Sequence, residues 1–89
     1  MYRLRLTPRA RRELDKIPAG ESERIATALV QLESEPRPFG AKKLKGNIYR
    51  IREGDWRIIY AILDKEKIII AGRIARRSED AYDRVEEAF

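Results

Sequence analysis

Three arginines, Arg50, Arg52 and Arg57, set the chemistry open to this chain; they lie inside the run KKLKGNIYRIREGDWRIIY from Lys42 to Tyr60. Side chains alternate along a strand, so odd and even positions of a hairpin carry different faces. With a two-residue loop at Glu53-Gly54 or Gly54-Asp55, odd positions of one arm face even positions of the other. Arg50, Arg52 and Arg57 then share one face, and Tyr49, Ile51, Trp56, Ile58 and Tyr60 share the other. A slip of one residue would mix guanidinium groups into the aromatic face, so burial selects this register. Like charges gathered on one sheet face repel one another. A ligand with several negative charges would relieve that repulsion, and the planar guanidinium fork matches phosphate oxygens. An ordinary solvated outer face is the other reading of the same pattern. Lys42, Lys43 and Lys45 just before the hairpin add weight to the ligand.

Such a hairpin needs a sheet around it and a cover for its apolar face. Tyr2, Leu4 and Leu6 alternate with Arg3 and Arg5, the pattern of a half-buried first strand. Thr7-Pro8 reads as an N-cap followed by proline at the first helical position. Ala10, Leu14 and Ile17 are spaced for one helical face, and Pro18-Ala19-Gly20 breaks that helix. A second helix is expected from about Glu21 to Glu33, with Ile25, Ala28, Leu29 and Leu32 buried, and Pro36 and Pro38 prevent its continuation. Residues 36–46 read as a connector. Ile68 to Ile74 is nearly continuous in apolar residues, which predicts a central strand. Ser78 is placed to cap a last short helix, with Glu79 and Asp80 at its positive end. The expected order is β-α-α-β-β-β-α, an α+β fold with a small, mostly antiparallel sheet and a helical hairpin packed on one face.

The 89 residues suffice for a single domain, 1–89, with one modest core. A net charge of +5 and a sequence pI near 9.8 suit an anionic partner such as nucleic acid. Lys42 to Tyr60 carries six basic residues against Glu53 and Asp55, whereas Ser78 to Phe89 carries only Arg84 against five acids. This segregation fits a basic site with an acidic far edge, and a salt-bridged surface would look similar. There is no cysteine and no histidine. Thiolate chemistry and a histidine base are excluded, and any metal site would have to be made of carboxylates alone. No signal peptide or membrane span is visible, so the expected location is the cytoplasm, with no membrane partner.

The succession of an opening strand, TPRARREL, a two-helix hairpin ending in proline, KKLKG, YRIREGDWRIIY and RRSEDAY resembles the RelE/ParE superfamily of bacterial and archaeal toxins. The resemblance covers essentially the whole chain. Its most specific piece is the stretch from Leu44-Lys45-Gly46 through Tyr60. It implies the toxin of a type II toxin–antitoxin system, with a cognate antitoxin as partner. On the RelE-like branch it further implies an endoribonuclease that cuts mRNA in the ribosomal A site, so that ribosome and mRNA are partners and no metal or cofactor is used. ParE-like relatives inhibit DNA gyrase instead; that activity, or a non-catalytic protein-binding toxin, is the alternative.

On the ribonuclease branch, the resemblance assigns a catalytic set of Arg50, Arg52, Arg57, Arg77 and Tyr82, and an RNA-holding set of Lys43, Lys45 and Arg76. Two of these positions are arginine where ribonuclease relatives have lysine. Arg76 stands where some relatives have histidine, so a histidine-dependent mechanism does not carry over. The stretch between Arg77 and Tyr82 is about a residue longer than in those relatives. The implied reaction activates a 2′-OH to attack the adjacent phosphate, leaving a 2′,3′-cyclic phosphate and a 5′-OH. Arg57 and Arg77 would hold the phosphate, and Arg50 and Arg52 would stabilise the developing charge. A free tyrosine is protonated at neutral pH. A base role for Tyr82 therefore needs neighbouring guanidinium groups that favour tyrosinate; otherwise the ring stacks on a base or anchors the last helix. Trp56, Tyr49 and Tyr60 are expected to pack under the helices.

Overall fold

The computed structural model describes every residue except Asp80, Ala81 and Asp83. Strand β1 (Arg3–Leu6) leads directly into helix α1 (Pro8–Asp15). The Thr7 hydroxyl caps that helix by accepting the Ala10 N–H at 3.1 Å, and Pro8 fills the first turn as expected. Helix α2 (Ala19–Gln31) begins two residues earlier than the sequence predicts, because Pro18 ends α1 and at once serves as the next N-cap. Its carbonyl accepts the Ser22 N–H at 2.8 Å. Ile25, Ala28, Leu29 and Leu32 form the buried stripe anticipated for α2.

Four more strands follow: β2 (Lys42–Lys45), β3 (Ile48–Glu53), β4 (Trp56–Leu63) and β5 (Ile68–Arg76). The sheet order is β1-β5-β4-β3-β2. Only β1 and β5 run parallel; the other pairs are antiparallel. The α+β class and the mostly antiparallel sheet are as expected. The apolar β5 is an interior strand, but the centre belongs to β4.

Two elements differ from the expected order. Residues 42–45 are a fifth strand and not part of the connector. Lys42 pairs with Arg50 and Lys43 with Tyr49, before a bulge at Leu44. Three lysines in four residues carry no alternating apolar signal, and lysine is the residue that protects an edge strand from further pairing. At the C-terminus, the helix expected from Ser78 is absent among the described residues. Residues 77–79 form a turn in which the Glu79 N–H reaches the Arg76 carbonyl at 3.0 Å. Arg84 then adopts a left-handed φ of 53°, which no continuous helix tolerates, and a single 3-10 turn spans Val85–Ala88. Asp80, expected at the positive end of that helix, lies outside the described residues.

The central hairpin closes at Glu53↔Trp56, so its loop is Gly54-Asp55, and Gly54 supplies the positive φ (58°) that the tight turn requires. This register divides the sheet into two faces. Ile51, Trp56, Ile58, Tyr60, Ile62, Ile69 and Ile74 pack with α1 and α2 into the main core. The opposite face is not bare: Ile48, Ile59, Ala61 and Ala75 form a second, smaller core with Val85, against which Leu44 and Tyr82 pack. The C-terminal segment therefore lies across the arginine face. At its far end, the Phe89 ring sits on Gly72, where an added Cβ would lie 2.7 Å from a ring carbon.

Candidate active site on the arginine face

The alternation predicted for the hairpin brings Arg50, Arg52 and Arg57 to one face. Arg52 lies directly across the β3–β4 ladder from Arg57, and Arg50 lies two residues before it. Among the described residues, none of the three is engaged in an ion pair. Arg52 is exposed, while Arg50 and Arg57 are half-buried. Their Nε atoms are shielded from solvent and have no hydrogen-bond partner among the described residues. Burying a donor without a partner is costly, and it is costlier beside another cation.

Tyr82 completes the cluster. Its half-buried ring packs on the second core, with the Arg57 guanidinium carbon 4.7 Å from the ring centre. Its hydroxyl is also buried without a partner among the described residues. Two Nε donors and one phenol oxygen thus share a sheet face in want of polar partners. An oxyanion bearing several acceptors, such as a phosphodiester, has the chemistry to satisfy the donors.

Arg77 stands exposed in the turn after β5, and its N–H donates to the Asp55 carbonyl at 2.7 Å. That bond ties it to the tip of the β3–β4 hairpin. Lys45, on the edge strand, lies 3.7 Å from Glu86 of the C-terminal turn. Lys43 is exposed opposite Tyr49, whose ring belongs to the helix side. Arg76 is drawn away from the cluster as well: it pairs with Trp56, and its guanidinium carbon lies 4.6 Å over the indole. Trp56 in turn donates Nε1–H to Glu21 of α2 at 3.0 Å, so Arg76 is on the helix side of the sheet. The structure therefore gathers Arg50, Arg52, Arg57 and Tyr82, tethers Arg77 nearby, and separates Lys43 and Arg76, which stand on the helix side.

Lys42, left out of the expected site, pairs with Arg50 and shares its face. The signal that could have found it is the strand itself, which the lysine run concealed. Outside the face, a clasp holds the connector. Arg37 Nη2 lies 2.8 Å from Asp64 Oδ2, the Tyr2 hydroxyl donates to Asp64 Oδ1 at 2.6 Å, and the Tyr60 hydroxyl donates to the Pro36 carbonyl at 2.7 Å. The hydrogen bond from Arg37, then that from Tyr2, holds the Asp64 carboxyl below its usual range. Burial pushes the Tyr60 phenol up to about 12. A cavity of about 700 Å³ opens beside this connector, walled by Leu32, Pro38, Phe39, Arg50 and Arg52.

Two helices on one side of a five-stranded mixed sheet, with arginines that have no ion-pair partner among the described residues on the other, define a small α+β protein with a cationic face. Its relatives have the same architecture. A sequence-family model described as the ParE toxin of type II toxin–antitoxin systems, parDE, matches residues 4–81. A Methanocaldococcus jannaschii protein that bears the name toxin RelE1 is 31% identical over 86 residues, covering 91% of this chain and 94% of that one. The toxin of the archaeal RelE–RelB complex from Pyrococcus horikoshii superposes with a TM-score of 0.80 at 30% identity, over 88% of this chain and 97% of that one. The toxin–antitoxin complex RelBE2 from Mycobacterium tuberculosis matches with a TM-score of 0.75 at 28% identity, over 85% of this chain and 98% of that one. The chain belongs to the RelE/ParE superfamily of toxins of type II toxin–antitoxin systems.

Proposed function

We propose that this toxin is a ribosome-dependent endoribonuclease that cleaves mRNA in the A site. The observation that carries the reading is the unsatisfied set Arg50 Nε, Arg57 Nε and Tyr82 hydroxyl on one sheet face. Arg57 and Arg77 hold the scissile phosphate, Arg50 and Arg52 meet the charge that grows on it, and Lys45 holds the flanking RNA. The 2′-oxygen attacks phosphorus as its proton leaves, the P–O5′ bond breaks, the departing 5′-oxygen takes a proton from water, and a 2′,3′-cyclic phosphate remains. Tyr82, beside Arg57, is the candidate acceptor for the 2′-OH proton. The site has no histidine, and its candidate base is intrinsically weak, so positioning by the ribosome supplies much of the rate.

A cognate antitoxin is the second partner proposed. Relatives from P. horikoshii and M. tuberculosis are known as complexes with their RelB proteins. A basic sheet face suits an acidic, amphipathic segment that folds on binding. The decisive experiment incubates the purified protein with translating ribosomes and maps new mRNA 5′ ends. Discrete cuts within the A-site codon support the proposal, and intact mRNA refutes it.

One observation favours the second reading, inhibition of DNA gyrase: the family model that matches the chain is described for ParE, and its match stops at residue 81, one short of Tyr82. Gyrase supercoiling assayed with and without the protein decides between the two.

A further inference from the structure

Strand β1 ends at Leu6, opposite Ala71, whereas β5 continues to Arg76. Beyond Ala71 the outer edge of β5 has no neighbouring strand, and side chains close it instead. The Thr7 hydroxyl donates to the Gly72 carbonyl at 3.2 Å. The Ile74 N–H donates to Glu13 Oε1 at 2.8 Å, and the Arg76 N–H donates to Glu79 Oε1 at 3.3 Å. Arg73 bridges the two carboxylates, with its side chain only 13% exposed. Its Nε lies 3.0 Å from Glu13 Oε2, and its Nη2 lies 3.6 Å from Glu79 Oε2.

This edge is also where Arg77 is displayed. The Arg77 turn is closed by the Glu79 N–H to the Arg76 carbonyl, and the Arg77 N–H is held by the Asp55 carbonyl at 2.7 Å. The turn is thus fixed from two sides, by the hairpin tip through Asp55 and by α1 through the chain Glu13–Arg73–Glu79. Glu13, at 3.0 Å, keeps the largely buried Arg73 guanidinium in place, so that it offers a fixed cation to the half-exposed Glu79 carboxylate. Protection of an exposed sheet edge would account for Thr7, Glu13 and the bond from the Arg76 N–H to Glu79. It does not account for the second Glu79 contact, with Arg73, which links the turn that carries Arg77 to α1.

We infer that Glu79, anchored by Arg73 and Glu13, is a positioning residue for Arg77 and fixes the turn that presents its guanidinium to the RNA phosphate. The inference rests on the role proposed above for Arg77. Its test is single-turnover mRNA cleavage on programmed ribosomes by the wild type, Glu79→Ala, Glu79→Gln, Arg77→Ala and the Glu79→Ala/Arg77→Ala double variant. Amide exchange at Arg77 is followed in parallel. Glu79→Ala is expected to slow cleavage about 10- to 100-fold, with ribosome affinity unchanged, since small misplacements of a positioned group cost that much. Glu79→Gln keeps an acceptor for the Arg76 N–H and should lose less. In the Arg77→Ala background Glu79→Ala should add nothing, and Arg77 amide exchange should accelerate in the Glu79→Ala protein.

Equal losses from Glu79→Ala with and without Arg77 would overturn the inference. So would a wild-type rate in Glu79→Ala when Arg77→Ala is slow. Wild-type cleavage by a folded Arg77→Ala protein would instead remove Arg77 from the proposed site and take this inference with it. Absence of cleavage by the wild type itself would overturn the ribonuclease reading and the inference together.

Discussion

Replacing Arg57 by alanine separates the two things that this side chain can do. For stability, the structure sets opposing effects against each other. The loss of the guanidinium over Tyr82 removes a cation–π contact of about 0.5–1 kcal/mol, together with packing of the arginine stem on the ring. Against that, Arg57 faces Arg52 directly across the ladder, a like-charge pairing worth roughly 0.2–1 kcal/mol. Its buried Nε has no partner, and relief of that penalty returns about 1–3 kcal/mol. Before the lost stem packing is counted, these terms favour the variant by about 0.2–3.5 kcal/mol, so its thermal midpoint should hold or rise. For cleavage no such cancellation operates. Loss of one donor to a developing oxyanion costs about 10²- to 10³-fold, or roughly 2.7–4 kcal/mol of transition-state stabilisation. Arg57→Lys should recover only part of that, because an ammonium cannot form the paired contact. The assay is single-turnover cleavage of mRNA on programmed ribosomes, with a thermal midpoint for each variant. A folded Arg57→Ala protein that cleaves at the wild-type rate would remove the residue from the mechanism. A midpoint lowered by more than ~10 °C with a matching loss of activity would make its role structural.

Tyr82→Phe removes a buried, unpartnered hydroxyl, so stability should hold or rise, while cleavage falls by about 10²- to 10⁴-fold if the phenol takes the proton; an unchanged rate would leave the ring with packing alone. Burial holds the Tyr60 pKa at about 12 in the folded chain, above its unfolded value. The associated stability is therefore full below about pH 10 and lost as pH rises through the folded value, and urea midpoints of Tyr60→Phe should lack that alkaline decline. The Asp64 carboxyl is depressed by Arg37 and Tyr2, so its contribution is present above the ordinary aspartate pKa and lost as pH falls through the depressed value. The difference in midpoint between wild type and Asp64→Asn should accordingly shrink below about pH 4. Gly72→Ala drives a methyl group into the Phe89 ring and should lift the C-terminal segment, seen as faster amide exchange at residues 85–89 with the helix-side core unchanged.

Much of the fold was legible because period and punctuation agreed. The alternation of Tyr49, Ile51, Trp56, Ile58 and Tyr60 against three arginines allowed one hairpin register, and the sheet adopts it. Thr7-Pro8 and the stripe of Ile25, Leu29 and Leu32 marked the helices in the same way. What escaped was structure stabilised by distant partners. Lys42–Lys45 is a strand because β3 offers it an edge, which four residues with three lysines do not announce. Glu79 looked like a helix-start carboxylate; in the fold it is bound by Arg73 and the Arg76 N–H. The odd positions Ile59 and Ala61 are the clue to the second core, since two buried apolar residues on an outer face require a cover.

That cover explains how so cationic a face can exist in a stable domain. Among the described residues, Arg50 and Arg57 have apolar neighbours and no counter-charge. Ile48 and Ile59 belong to the second core beneath Val85, and Tyr82 is folded over Arg57 by the same segment. A face neutralised by its own acids would be more stable and less receptive, because an incoming anion would first have to displace them. A face with no apolar cover would leave the arginine stems free to splay into water, and any ligand would have to order them. The C-terminal segment avoids both outcomes. Among the described residues, Glu86 of this segment reaches Lys45 at 3.7 Å at the rim, while its apolar residues cover the face and none of its glutamates pairs with the central arginines. Opposed like charges and buried polar atoms without partners break the rules that the rest of the chain obeys. Departures of that kind are expected where a protein retains a binding surface at the expense of stability. On this argument, anion binding should stabilise the fold. Raising the concentration of a short RNA or polyphosphate should lift the thermal midpoint of the wild type and have a weaker effect on Arg57→Ala.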